Sequence, residues 1–339
     1  MRILFIGKSH PFALVPLQTL MRSHDLIGVI EEPSKTVNGD WWGGLRRWLS
    51  QGKDRLMRRP SLNALARRQH LPYLRFRPGE GARLLELAQR LRPDLICVIS
   101  LSQRLDPDVL AVPRYGAINL HPSWLPRYRG PYPWFWQYYT GESHIGMTVH
   151  RMEAVLDTGA IVRQTRFPLE RGMDVAEAVR MGSSVGATLL LEAVNDVERG
   201  AATWISQPPT DAPYARRVSR TEPLIDWQAW DLERVWHVMR GTYPWLDAVP
   251  RPCGRWWRGH WKIGAMERSG ACGIPGRVYR DVNGHYAAHR EGKIHLELQT
   301  SIVGQWIMAV RRVVAARDAV VEPRETIASR EEAVAERAG

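Results

Sequence analysis

The chain has 339 residues, of which 44% are hydrophobic and 24% charged, a composition typical of a globular protein with two domains. It contains no run of about eighteen apolar residues, so a membrane span is not expected. The three cysteines are scattered and form neither a disulfide framework nor a metal-spaced pair, which favours a cytoplasmic location. The net charge of +12 is uneven. Residues 35–77 hold eleven Lys/Arg and two acidic residues, so they suit either a solvated surface or an anionic partner.

Apolar strands alternate with helices along the first part of the chain. In chain order the pattern predicts a strand at 2–7, a helix at 11–22, a strand at 26–30, a helix at 79–92, strands at 95–100, 117–121 and 146–152, and a helix at 174–199. This alternation predicts an α/β fold with a doubly wound, mostly parallel sheet. In such a sheet, ligand sites lie at the carboxyl ends of the strands, which here are the segments after 95–100 and 117–121.

The rest of the chain departs from this alternation. Residues 38–70 are rich in Trp and Arg, and we predict that they form a basic insertion on the surface. Short strands with Gly turns between 255 and 313 predict a second, β-rich domain. The predicted organisation is a first domain at 1–206, a Pro-rich linker at 207–213, the β-rich domain at 214–320 and a charged tail at 321–339.

The end of the strand at 117–121 carries the most informative polar residues. Asn119 and His121 lie two residues apart, so both side chains point to the same side of the strand. An amide donor beside an imidazole at this position suits the stabilisation of a developing oxyanion. Farther on, Asp157 lies in an Asp-Thr-Gly turn, and a carboxylate near His121 would raise the pKa of His121 and orient its ring.

Each of these residues also has a purely structural interpretation. His121 can bond backbone groups at a strand end, Asn119 can be a turn residue, and Asp157 can make a local turn bond. Taken singly, the structural interpretations are favoured. The surrounding motifs change that balance.

The run from Asn119 to Pro126 reads Asn-Leu-His-Pro-Ser-Trp-Leu-Pro, and Arg129-Gly130 follows it. Gly-Met-Thr-Val-His at 146–150 and Asp-Thr-Gly at 157–159 come next. Together they resemble the formyltransferase family that uses 10-formyltetrahydrofolate, whose motifs are Asn-x-His-x-Ser-Leu-Leu-Pro, Arg-Gly, Gly-x-Thr-x-His and Asp-Thr-Gly.

The resemblance has one departure in the core motif and extends toward the C-terminus. Trp124 stands where the family usually has Leu, which leaves the three polar groups intact. The segments at 214–217, 225–227 and 243–245 look like the linker and second domain of methionyl-tRNA formyltransferases. The same layout occurs in formyltransferases that act on amino sugars.

The resemblance implies a Rossmann-like catalytic domain followed by a small, open β-barrel of the OB type. It implies that Asn119 and His121 bind the formyl oxygen, and that Asp157 holds His121 and helps to order the proton transfers. It implies no metal. The residues that it suggests for binding the pterin of 10-formyltetrahydrofolate are Leu101, Gln103, Arg104, Leu105 and Val155. Those that it suggests for binding the substrate are Tyr128, Arg129 and Trp134.

Three functions compete for this sequence. Residues 7–10, Gly-Lys-Ser-His, depart from the Gly-Thr-Pro run of the methionyl-tRNA enzymes, and residues 131–136 resemble the sugar and small-molecule members. We therefore predict an N-formyltransferase acting on a small-molecule primary amine, either an amino sugar, often nucleotide-linked, or a natural-product intermediate. Methionyl-tRNA is the alternative acceptor, because phosphate contacts would suit the basic segment. A non-catalytic protein that binds folate or RNA is the third possibility. The oligomeric state, a dimer included, is left open.

Overall fold

The computed structural model describes residues 1–33, 61–208, 212–254 and 257–300. The chain divides into two compact units, Met1–Leu224 with Glu233–Leu246, and Ile225–Leu232 with Asp247–Gly339. The linker predicted at 207–213 does not coincide with this division. The chain after it returns to the first unit, where the N–H of Ala215 donates to the carbonyl of Arg129 at 2.7 Å.

The first unit is built on a seven-stranded sheet of order β3-β2-β1-β4-β5-β6-β7. Its strands are β1 (Arg2–Gly7), β2 (Asp25–Glu31), β3 (Tyr73–Arg75), β4 (Leu95–Ile99), β5 (Ala117–His121), β6 (His144–Arg151) and β7 (Ile161–Pro168). Strands β1 to β5 pair in parallel, whereas β6 runs antiparallel to β5 and β7 antiparallel to β6. The predicted doubly wound, mostly parallel sheet is confirmed.

Helices cover both faces of this sheet. They are α1 (Pro11–Leu20), α2 (Leu62–Arg68), α3 (Gly81–Leu91), α4 (Pro107–Ala111), α5 (Pro133–Tyr139), α6 (Val175–Glu198) and α7 (Leu232–Thr242). Proline at the first position starts α1, and the Asp174 carboxylate caps α6 by accepting the N–H of Ala176 at 2.8 Å. One apolar cluster joins α1, α2 and α6 to one face of the sheet, and a second joins α3 and α4 to the other.

The segment predicted as a surface insertion, 38–70, lies partly outside the described residues. Its described part, residues 61–70, contacts the core through two side chains. Leu62 and Ala66 on α2 are completely buried in the first apolar cluster, and the Ser61 hydroxyl caps the helix by accepting the N–H of Ala64 at 3.1 Å. These two apolar residues, one helical turn apart, pack one side of α2 against the core. Arg67 and Arg68 on the same helix are exposed, and the insertion stays a prediction.

The described part of the second unit is a five-stranded antiparallel sheet of order β10-β11-β12-β9-β8. Its strands are β8 (Cys253–Gly254), β9 (Trp257–Arg268), β10 (Val278–Asp281), β11 (Gly284–His289) and β12 (Gly292–Thr300). Ile263, Ala287 and Ile294 are buried in it. A small, separate β-rich unit was predicted here and is confirmed. The predicted charged tail at 321–339 lies outside the described residues. Within the described ranges, no helix is both long enough and apolar enough to cross a membrane.

His237 on α7 makes the stability of the first unit dependent on pH. It is completely buried, and its Nδ1 accepts the N–H of Gly172 at 3.0 Å. Burial, aided by the positive charge of Arg171, lowers its pKa from 6.5 to about 4. Between these two values the unfolded chain binds a proton that the folded chain does not, so stability rises with pH. The stabilisation is complete above pH 6.5 and is lost as the pH falls toward 4.

We expect the free energy of unfolding, measured with urea between pH 7 and 4.5, to fall with decreasing pH. His237→Gln cannot take up a proton there and should flatten this fall. The exposed His144 is the control, and His144→Gln should leave the fall unchanged. An equal pH dependence in wild type and His237→Gln would contradict the assignment.

Candidate active site

The end of β5 presents two polar side chains away from the first apolar cluster. Ile118 and Leu120 are buried in that cluster. Because side chains alternate along a strand, Asn119 and His121 share the opposite face. This confirms the predicted orientation and places an amide and an imidazole together at the carboxyl end of β5.

The ring of His121 is held between a backbone carbonyl and a carboxylate. Its Nε2 donates to the Tyr128 carbonyl at 3.0 Å, and its Nδ1 lies 3.7 Å from Oδ1 of Asp157. A carbonyl can only accept, so Nε2 carries the hydrogen, and in the neutral ring the Nδ1 lone pair faces Asp157. Burial lowers the pKa of His121 and outweighs the opposing effect of the Asp157 charge. The predicted increase of the His121 pKa is therefore wrong, because the ring is buried.

Asp157 lies in a left-handed turn with φ of 57° and points its carboxylate into the same group. Its Oδ2 accepts the N–H of Gly130 at 2.8 Å. Burial opposes ionisation, but the positive charge of His121 or His150 in the protonated form, together with the Gly130 N–H, holds the pKa of Asp157 well below its usual range. The carboxylate is therefore ionised at neutral pH and presents a negative charge to the two imidazole rings.

His150 completes the group and was not among the predicted site residues. It lies on β6 directly opposite Asn119. Its Nδ1 donates to the Arg151 carbonyl at 2.8 Å, so in the neutral ring its Nε2 accepts from Asn119 Nδ2, at 3.2 Å. The same Nε2 lies 3.6 Å from Oδ1 of Asp157. In the sequence, His150 is marked as the last residue of the Gly-x-Thr-x-His motif. Only the strand register shows which residues His150 contacts.

The residues predicted for pterin binding lie in two segments. Leu101 and Leu105 belong to the second apolar cluster, and Arg104 is exposed. Gln103 has a buried Nε2 with no hydrogen-bond partner among the described residues. Val155, on the loop before Asp157, is 62% exposed. A buried, unused amide donor and an exposed apolar side chain fit a flat heterocycle with polar edges.

The three residues predicted for substrate binding have other contacts. The Tyr128 hydroxyl donates to the Glu142 carboxylate at 2.6 Å, and its side chain is buried. The ring of Trp134 is 8% exposed and packs edge-on against Phe12 at 5.6 Å. Trp134 is thus a core residue, because its position on α5 faces the apolar cluster. The Arg129 guanidinium is hydrogen-bonded to Gln207.

Gly146 on β6 allows the motif after His121 to lie against the sheet. A Cβ at this position would lie 2.1 Å from the backbone nitrogen of Trp124 and 2.6 Å from the backbone carbon of Ser123. We expect Gly146→Ala to lower the free energy of unfolding by about 1–3 kcal/mol, because the backbone of the motif must shift. Chemical denaturation measures this change. Gly270→Ala, where a Cβ would meet nothing within 4 Å, is the control, and equal effects of the two variants would contradict the packing argument.

A cavity of about 480 Å³ lies away from this group, at the amino end of β5. Its lining includes Tyr115, Gly116, Met152 and Trp204, and contains none of the four polar residues described above. The polar group is the candidate active site, because catalysis requires positioned donors and acceptors and not volume alone.

Comparisons with known proteins identify the family of this chain. A family model described as formyl transferase matches residues 57–194. Methionyl-tRNA formyltransferase of Geotalea uraniireducens is 30% identical over 281 residues, which are 83% of this chain and 83% of that protein. The chain belongs to the formyl transferase family. It is therefore a transferase enzyme, which excludes a protein that only binds folate or RNA. The methionyl-tRNA formyltransferase of Staphylococcus aureus strain MW2 is also 30% identical, over 72% of this chain and 73% of that protein.

Solved structures share the fold of this formyl transferase. HypX from Aquifex aeolicus, in complex with tetrahydrofolic acid, matches with a TM-score of 0.58 and 17% identity. The match covers 87% of this chain, which spans 43% of HypX. The N-formyltransferase from Helicobacter canadensis, in complex with folinic acid and dTDP-3-aminofucose, matches with a TM-score of 0.55 and 15% identity over 88% of this chain and 99% of that one.

Proposed function

We propose that this enzyme transfers a formyl group from 10-formyltetrahydrofolate to the primary amine of a small molecule, an amino sugar or a natural-product intermediate. The observation that carries the reaction type is the contact group that Asn119 and His121 on β5 form with His150 on β6 and Asp157 in the loop after β6. It combines a hydrogen-bond donor, a neutral imidazole and an ionised carboxylate, which acyl transfer to an amine requires.

The folate would be held by the segments around Gln103 and Val155. Gln103 offers a buried amide donor, and Leu101, Leu105 and Val155 offer apolar contact. When bound, 10-formyltetrahydrofolate would supply the formyl group, whose bond to the folate nitrogen breaks as the bond to the amine is made, so that tetrahydrofolate leaves with a proton.

Asn119 is placed to stabilise negative charge on oxygen. One hydrogen of its Nδ2 goes to Nε2 of His150, which fixes the orientation of the amide. The other hydrogen has no acceptor within the described ranges and can be donated to an oxygen that becomes negative as the amine attacks. Because the donor is already oriented, it does not have to reorganise during the reaction.

His121 and Asp157 are placed to remove the proton that the amine must lose. An amine that forms a bond to carbon becomes cationic and needs a base. The Nδ1 lone pair of His121 and the Asp157 carboxylate face each other at 3.7 Å, so either can take the proton. If His121 takes it, the carboxylate stabilises the imidazolium that results.

The identity of the acceptor rests on separate arguments. The departure of residues 7–10 from the run of the tRNA enzymes supports a small amine. In this chain Lys8, in the loop after β1, forms an ion pair with Glu32 at 3.4 Å and a hydrogen bond with Ser102. Its ammonium group is therefore already engaged within the protein. Trp134, which the resemblance suggested for substrate binding, does not support a sugar acceptor, because its ring is in the core.

Methionyl-tRNA is the second candidate acceptor. Two observations favour it: methionyl-tRNA formyltransferases are 30% identical to this chain over most of its length, and the net charge is +12. Formyl transfer from 10-formyltetrahydrofolate should be assayed with nucleotide-linked amino sugars, free amines and charged initiator methionyl-tRNA. Turnover with a sugar or amine alone supports the proposal. Turnover with tRNA alone replaces the acceptor, and no turnover with any of them contradicts the proposed function.

A further inference from the structure

The side chain of Gln207 joins two segments that carry family motifs. Its Nε2 donates to the backbone carbonyls of Asp157 and Gly159, at 2.9 and 2.8 Å. Its Oε1 accepts from Nε and Nη2 of Arg129, at 3.0 and 2.7 Å. Both amide hydrogens and both oxygen lone pairs are therefore used.

These bonds hold a turn with a left-handed backbone. Asp157 has a φ of 57°, a conformation that is uncommon for residues other than Gly and for which Asn, Asp and His are the most frequent side chains. Its carbonyl is bound by Gln207 while its carboxylate is bound by the N–H of Gly130. The catalytic loop is thus fixed from the backbone side and from the side-chain side.

Arg129 and Gly130 both support Asp157, by different routes. Gly130 bonds the carboxylate directly, and Arg129 acts through Gln207. The charge of Arg129 also polarises the Gln207 amide, which strengthens the bonds that Nε2 donates. These contacts explain physically why the Arg-Gly and Asp-Thr-Gly motifs occur together.

The amide of Gln207 cannot be replaced by a carboxylate without loss. A glutamate would keep the two bonds from Arg129 but would place oxygen atoms against the carbonyls of Asp157 and Gly159. Those carbonyls would then face an acceptor where they now have a donor.

We propose that Gln207 and Arg129 form a positioning pair, which holds the Asp157 carboxylate against His121 and His150 without touching the substrate. This inference rests on the proposed function, because it assigns the pair to formyl transfer. It also moves Arg129 from substrate binding to the support of the catalytic loop.

The first test is kinetic. Gln207→Leu and Gln207→Glu should each lower kcat by about 10- to 100-fold, because small displacements of a catalytic group are costly. The KM values for the formyl donor and the amine should stay within about twofold, since the pair does not contact either substrate. Arg129→Met should lower kcat similarly, and the double variant Arg129→Met/Gln207→Leu should be no worse than the poorer single variant.

Gln164→Leu is the matched control. Gln164 is also half-buried, and its Nε2 also donates two bonds, to the Leu125 carbonyl and the Thr148 hydroxyl. Its kcat should stay near that of the wild type. An unchanged kcat in both Gln207 variants, or an Arg129→Met variant that raises KM for the amine alone, would overturn the inference.

The second test does not depend on turnover. The pKa of the Asp157 carboxyl can be measured by ¹³C NMR in the wild type and in Gln207→Glu. This variant retains the Arg129 contact, so it can be used even if Gln207→Leu fails to fold. The groups that face this carboxylate are His121 on β5, His150 on β6 and the Gly130 N–H. Release of the loop should weaken all three contacts and raise the Asp157 pKa. An unchanged pKa would refute the positioning role even in an active enzyme, whereas a wild type without turnover refutes only the proposed function.

Discussion

Asp157→Asn is expected to reduce kcat/KM for formyl transfer by about 10⁴-fold, as replacement of a carboxylate beside a catalytic histidine does elsewhere. The amide can still accept the N–H of Gly130, so the turn should remain folded. It can neither take up the proton of the amine nor stabilise a charged His121, which lies 3.7 Å away. The fully active form therefore requires the ionised carboxylate.

The measurement is steady-state formyl transfer with the acceptor found in the substrate assay, together with thermal unfolding. Asp196→Asn is the control because Asp196 is also an acid with a lowered pKa, caused first by its hydrogen bond with Arg163, and it lies outside the polar group. It should retain activity within about twofold. An Asp157→Asn enzyme that remains within tenfold of the wild type would exclude the carboxylate as a base.

Asn119→Ala is expected to lower kcat by about 10²–10³-fold, the usual cost of removing one oriented donor from an oxyanion site. Because that donor acts mainly as charge develops, the KM for the formyl donor should change little. The removal also leaves Nε2 of His150 without its bond from Asn119. The effect should therefore fall on kcat, and the fold should persist.

Stopped-time assays of kcat and binding of the non-reactive analogue 5-formyltetrahydrofolate separate these effects. Asn283→Ala, at an exposed turn of the second unit, provides the same substitution away from the site and should be fully active. If Asn119→Ala loses analogue binding and keeps kcat, the residue binds folate in the ground state and does not stabilise developing charge.

The main elements of the first unit follow directly from local sequence patterns. The predicted strand at 117–121 coincides with β5, and the helix predicted at 174–199 corresponds to α6. Both have strong apolar periodicity and clear ends, at Pro122 for the strand and at the capping Asp174 for the helix. In segment 38–70 the high content of Arg obscures the apolar pattern of the two residues through which α2 packs against the core.

Only part of the polar group was predicted from the sequence, because only part of it is defined by local patterns. Asn119 and His121 belong to one strand, so their alternation is a local property. Gln207 lies 50 residues after Asp157, and its contact with the loop depends on the return of the chain beside β7. Trp134 has the aromatic character of a sugar-binding residue, but the direction in which α5 packs buries its ring.

The amino-acid sequence by itself determined the α/β class, the family and the residue types at the end of β5, because strand alternation and contiguous motifs are properties of short stretches of chain. Only the tertiary structure decided the contacts of His150 and Gln207, the lowered pKa of His121 and the burial of Trp134. These depend on strand register, loop return and burial, and each of the three is set by contacts between segments that are distant in the sequence.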